Sequence, residues 1–120
     1  MKKLILSTVA TLAISASAAV AGNLSIVDQW GIGNAQGTFQ SGDFNISGTG
    51  QYGGANGSMT IQNGLGNVAG TVQDGAFNSS LTNQWGAGNA AGTMQFGNNG
   101  HVSETVQEGL GNVSLTVQTD

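Results

Sequence analysis

Residues 51–73 read QYGGANGSMTIQNGLGNVAGTVQ. In this stretch Gln51, Gln62 and Gln73 are evenly spaced, each eleven places after the last, and Asn56 and Asn67 each follow a Gln by five places. The same Gln-x4-Asn-x5 unit runs outward in both directions. It supplies Gln29, Gln40, Gln84, Gln95, Gln107 and Gln118, with Asn34, Asn45, Asn78, Asn89 and Asn112 between them. One extra residue near Gly100 shifts the phase once, and His101 then takes the Asn place. A unit this short cannot bury a face by itself, so neighbouring units must stack on one another.

Each unit divides into a six-residue strand that ends in Gln and a turn that ends in Asn. Gly31, Gly42, Gly53, Gly64, Gly75, Gly86, Gly97 and Gly109 all stand two places after a Gln. Glycine at that place permits positive φ, and the Asn that closes the turn is expected to tolerate the left-handed region. Within the strands the pattern alternates with period two. Thr38, Thr49, Thr60, Thr71, Thr82, Thr93, Thr105 and Thr116 stand two places before Gln, with Val27 in the first strand. Ser or Ala stands four places before Gln, except at Gln36. One face of every strand is therefore Asn, Ser or Ala, Thr and Gln, while the other face varies. A helix is excluded by the frequent Gly and by the period of two.

Local copies fix how the units are arranged. Gln29-Trp30-Gly31 returns five units later at Gln84-Trp85-Gly86. Gly42-Asp43-Phe44-Asn45 has its counterpart three units later at Gly75-Ala76-Phe77-Asn78. Both distances are odd multiples of the unit length. If two strands make one rung, these copies lie on opposite sheets. The expectation is an all-β, cross-β, amyloid-like β-solenoid of about 4.5 two-stranded rungs. Disorder competes with this fold in the free monomer, because the large apolar side chains are few and ordering entropy is high.

Which face lies inside is argued two ways. Hydrophobicity favours burying the variable face. Against that, the strand acids Asp28 and Glu104 fall only on the variable face. Stacked copies of Asn and Gln can also bond to one another about 4.8 Å apart. The balance favours the regular face inside, which leaves apolar outer faces free to pack laterally on other filaments. Trp30, Tyr52, Phe44, Phe77, Trp85 and Phe96 all read as turn residues, covering turn backbones or forming an exposed aromatic rim.

Composition narrows the function further. Residues 1–21 read as a secretory signal peptide: Lys2 and Lys3, an apolar Leu4–Val20 run, then Ala19-Val20-Ala21 as an A-x-A cleavage site. The run lacks a stop-transfer flank, so it does not read as a transmembrane anchor. Residues 22–120 form one repeat domain. The chain has 2 Lys and 6 acids, so removing both lysines changes the formal charge from −4 to −6. A chain with no Lys or Arg is unsuited to nucleic acid. There is no Cys and no Pro, hence no disulfide staple and no interruption of strands. His101 is the single His and reads as a structural substitution, and no catalytic, cofactor or metal constellation is visible. The acids Asp28, Asp43, Asp74, Glu104 and Glu108 read as solvated charges that limit uncontrolled stacking. The reading is a non-enzyme.

At this point the residues resemble the curlin repeat of curli fibre subunits, Ser-x5-Gln-x4-Asn-x5-Gln, with one strand–turn–strand rung per repeat. Gln29-x4-Asn34-x5-Gln40, Gln51-x4-Asn56-x5-Gln62 and Gln73-x4-Asn78-x5-Gln84 match the spacing, as does Gln95 to Gln107 with one insertion. The resemblance covers residues 23–118. It implies a secreted, extracellular functional amyloid at the cell surface, a homopolymer stacked head to tail that serves biofilm matrix and adhesion. It also implies two kinds of partner: a related subunit acting as nucleator or bulk subunit, and curli-type secretion machinery. The sequence departs from the family at three points. Asn23, Asn45, Asn67, Asn89 and Asn112 replace the opening Ser, Ser/Ala/Thr fill places that are often aliphatic, and no Gly/Asn-rich secretion segment separates the first repeat from the cleavage site. The alternative reading is a soluble secreted solenoid that binds a surface through an exposed Thr ladder, as ice-binding proteins do.

Overall fold

A strand with one invariant polar face and one variable face can bury the first only against a second strand of the same kind. The chain meets that demand by winding. The computed structural model describes residues 22–120, and the expected signal peptide lies outside the described residues. Nine strands follow one another: β1 (Leu24–Ile32), β2 (Ala35–Asp43), β3 (Ile46–Gly54), β4 (Gly57–Leu65), β5 (Val68–Ala76), β6 (Ser79–Ala87), β7 (Ala90–Gly97), β8 (Val102–Leu110) and β9 (Val113–Thr119). Odd strands form one sheet in the order β1-β3-β5-β7-β9, and even strands form the other in the order β2-β4-β6-β8. All pairings are parallel. The fold is the expected β-solenoid, with two strands to a rung.

Register follows the amides. Gln29 pairs with Gln51, Gln51 with Gln73 and Gln73 with Gln95. The insertion near Gly100 is absorbed between β7 and β8, after which Ser79 pairs with Val102 and Gln84 with Gln107, so alignment is restored at once. Gln29 and Gln84 lie on opposite sheets, as their odd spacing requires.

The regular face is inside. Asn45, Gln51, Gln62, Asn67, Gln73, Gln84, Asn89 and Gln95 are all fully buried, while Ala69 and Ala91 are the only buried hydrophobic residues among those described. The large apolar side chains point outward, including Val68, Val106, Leu110, Val113 and Leu115. This reverses the usual hydrophobic order, and stacking is what permits it: each buried amide meets a copy of itself, or that copy's backbone, one rung away.

Two details correct the expected strand and turn boundaries. Most strands run nine residues rather than six, because pairing continues past Gln through the bend: Gly31 pairs with Gly53 and Ile32 with Gly54. Trp30, Tyr52, Trp85 and Phe96 therefore belong to strands and point outward, and only Phe44 and Phe77 lie in turns. The left-handed residue, moreover, is the one before Asn and not Asn itself. Gly33, Gly66, Gly88, Gly100 and Gly111 hold φ between 65° and 75°, and Phe44, Ala55 and Phe77 hold it at 59°, 54° and 63°. A non-glycine residue there is strained. It is held by the neighbouring turn's backbone, as in Ala55 N–H to Ile32 O at 2.8 Å and Phe77 N–H to Gly54 O at 3.0 Å.

The glycines two places after Gln have a second reason to be glycine. Gly75 has φ 124°, and a Cβ built on it would overlap the carbonyl oxygen of Gly97 in the next rung. Stacked bends approach backbone to backbone at this place. By contrast, a Cβ on Gly70 meets nothing within 4 Å. Gly75→Ala should therefore destabilise the folded chain by several times the small change, ~0.5 kcal/mol or less, expected of Gly70→Ala. Chemical denaturation followed by far-UV circular dichroism measures both.

Candidate functional site: the amide ladder and its two ends

The Gln column is built from the inward side chain that precedes each bend. Gln51 donates its Nε2 to Gln73 Oε1 at 2.7 Å, Gln73 to Gln95 at 2.8 Å and Gln95 to Gln118 at 2.8 Å. Gln29 donates to Gln51 in the same sense. In the other sheet Gln40 donates to Gln62 at 2.7 Å, Gln62 to Gln84 at 2.9 Å and Gln84 to Gln107 at 2.8 Å. The second Nε2 hydrogen crosses to the opposite sheet. Gln51 reaches Ala35 O at 3.1 Å, Gln62 reaches Ile46 O at 2.9 Å and Gln84 reaches Val68 O at 3.0 Å. Each Gln thus ties its rung to the next and one sheet to the other.

The Asn column works differently from the amide-to-amide stack the sequence suggested. Asn45 Oδ1 accepts the backbone N–H of Asn67 at 3.0 Å, and Asn56 Oδ1 that of Asn78 at 3.1 Å. The Nδ2 group donates to two carbonyls. For Asn45 these are Ser41 O, four residues back, and Gly64 O in the next rung, both at 3.1 Å. Asn34 repeats the arrangement with Trp30 O and Gly53 O. Side-chain to side-chain bonds appear only where Asn89 donates to Asn67 and Asn112 to Asn89, each at 3.1 Å. Asn is required because it spans three backbone groups of a tight corner. The Gly carbonyl it holds belongs to the bend residue, so these two recurrent places of the unit are one device.

His101 keeps the backbone half of this role and changes the rest. Its N–H bonds Asn78 Oδ1 at 3.1 Å and its carbonyl accepts Ser79 N–H at 2.7 Å. Where Asn78 donates to Gly97 O at 3.2 Å, His101 sets Nε2 3.2 Å from Asp120 Oδ1. Asp120 stands two places after Gln118, where other rungs carry the bend glycine.

Hydroxyls are less well served than amides. The Oγ atoms of Ser47, Ser58, Ser80 and Ser103 and the Oγ1 atoms of Thr49, Thr71 and Thr93 are buried and meet no protein hydrogen-bond partner among the described residues. Gln36, the exception in the Ser/Ala column, instead donates its amide to Thr38 Oγ1.

On the outside, the Trp30 indole donates to Asp28 Oδ1 at 2.7 Å and the Tyr52 hydroxyl to Asp28 Oδ2 at 3.2 Å. That hydrogen bond, reinforced by the charge on Asp28, raises the Tyr52 pKa above its ordinary value. The strand acids Asp28, Asp43, Asp74, Glu104 and Glu108 are exposed, and no three metal-binding side chains gather among the described residues.

The ladder has direction. At the β1/β2 end the amide oxygens of Gln29 and Gln40 accept from no described residue, while their Nε2 groups are engaged. At the β8/β9 end Gln107 and Gln118 each spend one N–H on a carbonyl, Ala90 O and Val102 O at 3.0 Å, and keep the other free of any described partner. One end offers acceptors and the other donors. The Gln-x4-Asn spacing marks the residues of these columns but carries no sign of the polarity, because it depends on how each amide is turned. The left-handed place falls at the recurrent Gly before Asn, one residue earlier than the turn chemistry of Asn suggests. No protein-family model matches the chain, and no curated protein matches it.

Buried amides and hydroxyls should respond oppositely to apolar replacement. Gln73→Leu leaves one Nε2 hydrogen of Gln51 and the Gln95 Oε1 without a partner and removes the side-chain donor to Gly57 O, at about 1–3 kcal/mol for each group left unpaired. It should destabilise the fold by at least ~2 kcal/mol, against little change for the exposed Asn63→Leu. Thr71→Val removes an unpaired hydroxyl at constant shape and should stabilise by about 1 kcal/mol. Equilibrium denaturation of the three variants decides.

Proposed function

We propose that the protein is a structural subunit of an extracellular functional-amyloid fibre, polymerising head to tail through the two ends of its solenoid. The observation that carries this reading is the complementarity of those ends. Among the described residues β1 and β9 each have one neighbour in their sheet, as do β2 and β8 in theirs. Each end therefore presents backbone N–H and C=O groups in the geometry of a strand to be added. The Gln acceptors left without a described partner at one end face the Gln donors left without one at the other when two copies stack in the same direction. Stacking in opposite directions sets acceptor against acceptor. A second copy is the ligand whose spacing and polarity fit.

Further support comes from what lies inside and outside. Identical buried residues at a constant interval are what a growing cross-β stack needs from each added layer. The exposed apolar faces and the outward Trp30, Tyr52, Trp85 and Phe96 supply lateral contacts, consistent with adhesion and matrix formation. The resemblance to curlin repeats implies the same function, together with secretion through curli-type machinery and a related subunit as nucleator or bulk partner. The alternative, a monomeric surface binder, needs its Thr ladder outside, and Thr49, Thr60, Thr71, Thr82, Thr93 and Thr105 are all buried.

Purified protein lacking residues 1–21, diluted from denaturant, should form thioflavin-binding fibres with diffraction spacings of about 4.8 Å and about 10 Å. Preformed fragments should shorten any lag. A chain that stays monomeric and folded at high concentration, seeded or not, would refute the proposal.

A further inference from the structure

Among the described residues nine strands divide unequally between two sheets, five on one side and four on the other. A solenoid of even strand number could repeat by translation alone, but this one cannot do so without a defect. If a second copy is translated along the axis so that its β1 pairs with β9, its β2 lies two strand spacings from β8, about 9.6 Å. A slot one strand wide then opens in the four-stranded sheet at every joint. The outer backbone edge of β8 and the inner edge of the copy's β2 would face the slot unpaired. Gln107 would find no amide oxygen within reach, although every Gln before it in that column does.

We infer that successive subunits are instead related by a half-turn about the fibre axis, so that each sheet is built alternately from odd and even strands. This inference rests on the fibre reading above and specifies its joint. The next copy's β1 pairs with β8 and its β2 with β9. Both sheets then continue without a gap, and the column order is kept: Gln107 donates to the copy's Gln29, and Gln118 to the copy's Gln40. The interchange is possible because the two sheets carry the same inner face. Gln51, Thr49 and Ser47 on one side have the same places as Gln62, Thr60 and Ser58 on the other. The Gln-to-Gln unit, half of a rung, is therefore the true period of the fibre, and an odd number of units in one chain is no obstacle to it.

On the outer faces the half-turn sets Val106 beside the copy's Asp28 and Val117 beside the copy's Phe39. Translation sets Val117 beside the copy's Asp28 and leaves Val106 beside nothing. All four side chains are exposed, and the chain has no native Cys, so introduced thiols report only on the joint. Directly paired positions fall within the Cα separation a disulfide spans. Within one chain β1 and β8, and likewise β2 and β9, lie on different sheets, so their outward thiols cannot close internally.

Cysteine pairs introduced into the same protein lacking residues 1–21, oxidised after assembly and resolved on non-reducing denaturing gels, test the inference. D28C/V106C and F39C/V117C should each give a ladder of covalent multimers, and D28C/V117C should stay monomeric. A ladder from D28C/V117C alone, or fibres that cross-link through none of the three pairs, overturns the half-turn while leaving the fibre reading intact. Failure of the unsubstituted chain to polymerise overturns both. Helical reconstruction of unsubstituted fibres reads the same joint without any substitution. The half-turn requires a rise of about 21.6 Å per subunit with a rotation near half a turn, and translation requires about 24 Å with none beyond sheet twist.

Discussion

Everything in this structure depends on a side-chain amide meeting a copy of itself, or that copy's backbone, one rung away. A buried Gln or Asn with no partner would cost about 1–3 kcal/mol. Repeated at every rung, the same groups become mutual partners, and the penalty that normally keeps amides on surfaces is removed. The constant rung length is fixed by this requirement. So is the parallel register, because a slip of even one residue would take every Gln and Asn out of its column and onto the wrong face.

The inversion of inside and outside follows. With amides bridging both the rungs and the two sheets, the interior has little need of aliphatic side chains, and Ala69 and Ala91 are the only buried hydrophobic residues among those described. The apolar residues are left for the outer faces, where no described element covers them. The arrangement leaves the hydroxyl columns poorly served, with seven buried oxygens unpaired among the described residues. The amide ladder therefore carries the polar specificity of the core, while the Ser and Thr columns chiefly fill its width.

Much of this was legible in the sequence because the repeat is strict. The Gln spacing marked the rung, the odd-multiple copies marked the two sheets, and the acids at Asp28 and Glu104 turned the argument about faces. What escaped was set by backbone geometry. The bend glycines stay within the paired strands, since parallel pairing tolerates a bend that every rung repeats; a rule that equates Gly with a strand end places the boundary too early. Phe44, Ala55 and Phe77 hold left-handed conformations that propensity assigns to Asn, and at Ala55 and Phe77 the neighbouring rung's hydrogen bonds outweigh the local strain. The partners of the Asn side chains, mostly backbone carbonyls and N–H groups, depend on corner geometry that spacing alone does not encode.

The most direct test of the amide ladder is hydrogen exchange at the side-chain amides themselves, followed by NMR on 15N-labelled assembled protein. The Nε2 hydrogens of Gln51, Gln62, Gln73, Gln84 and Gln95 should be strongly protected, while those of the exposed Asn63 exchange freely. Equal, rapid exchange at all these sites would mean that the amides face water, and the account given for this fold would be wrong.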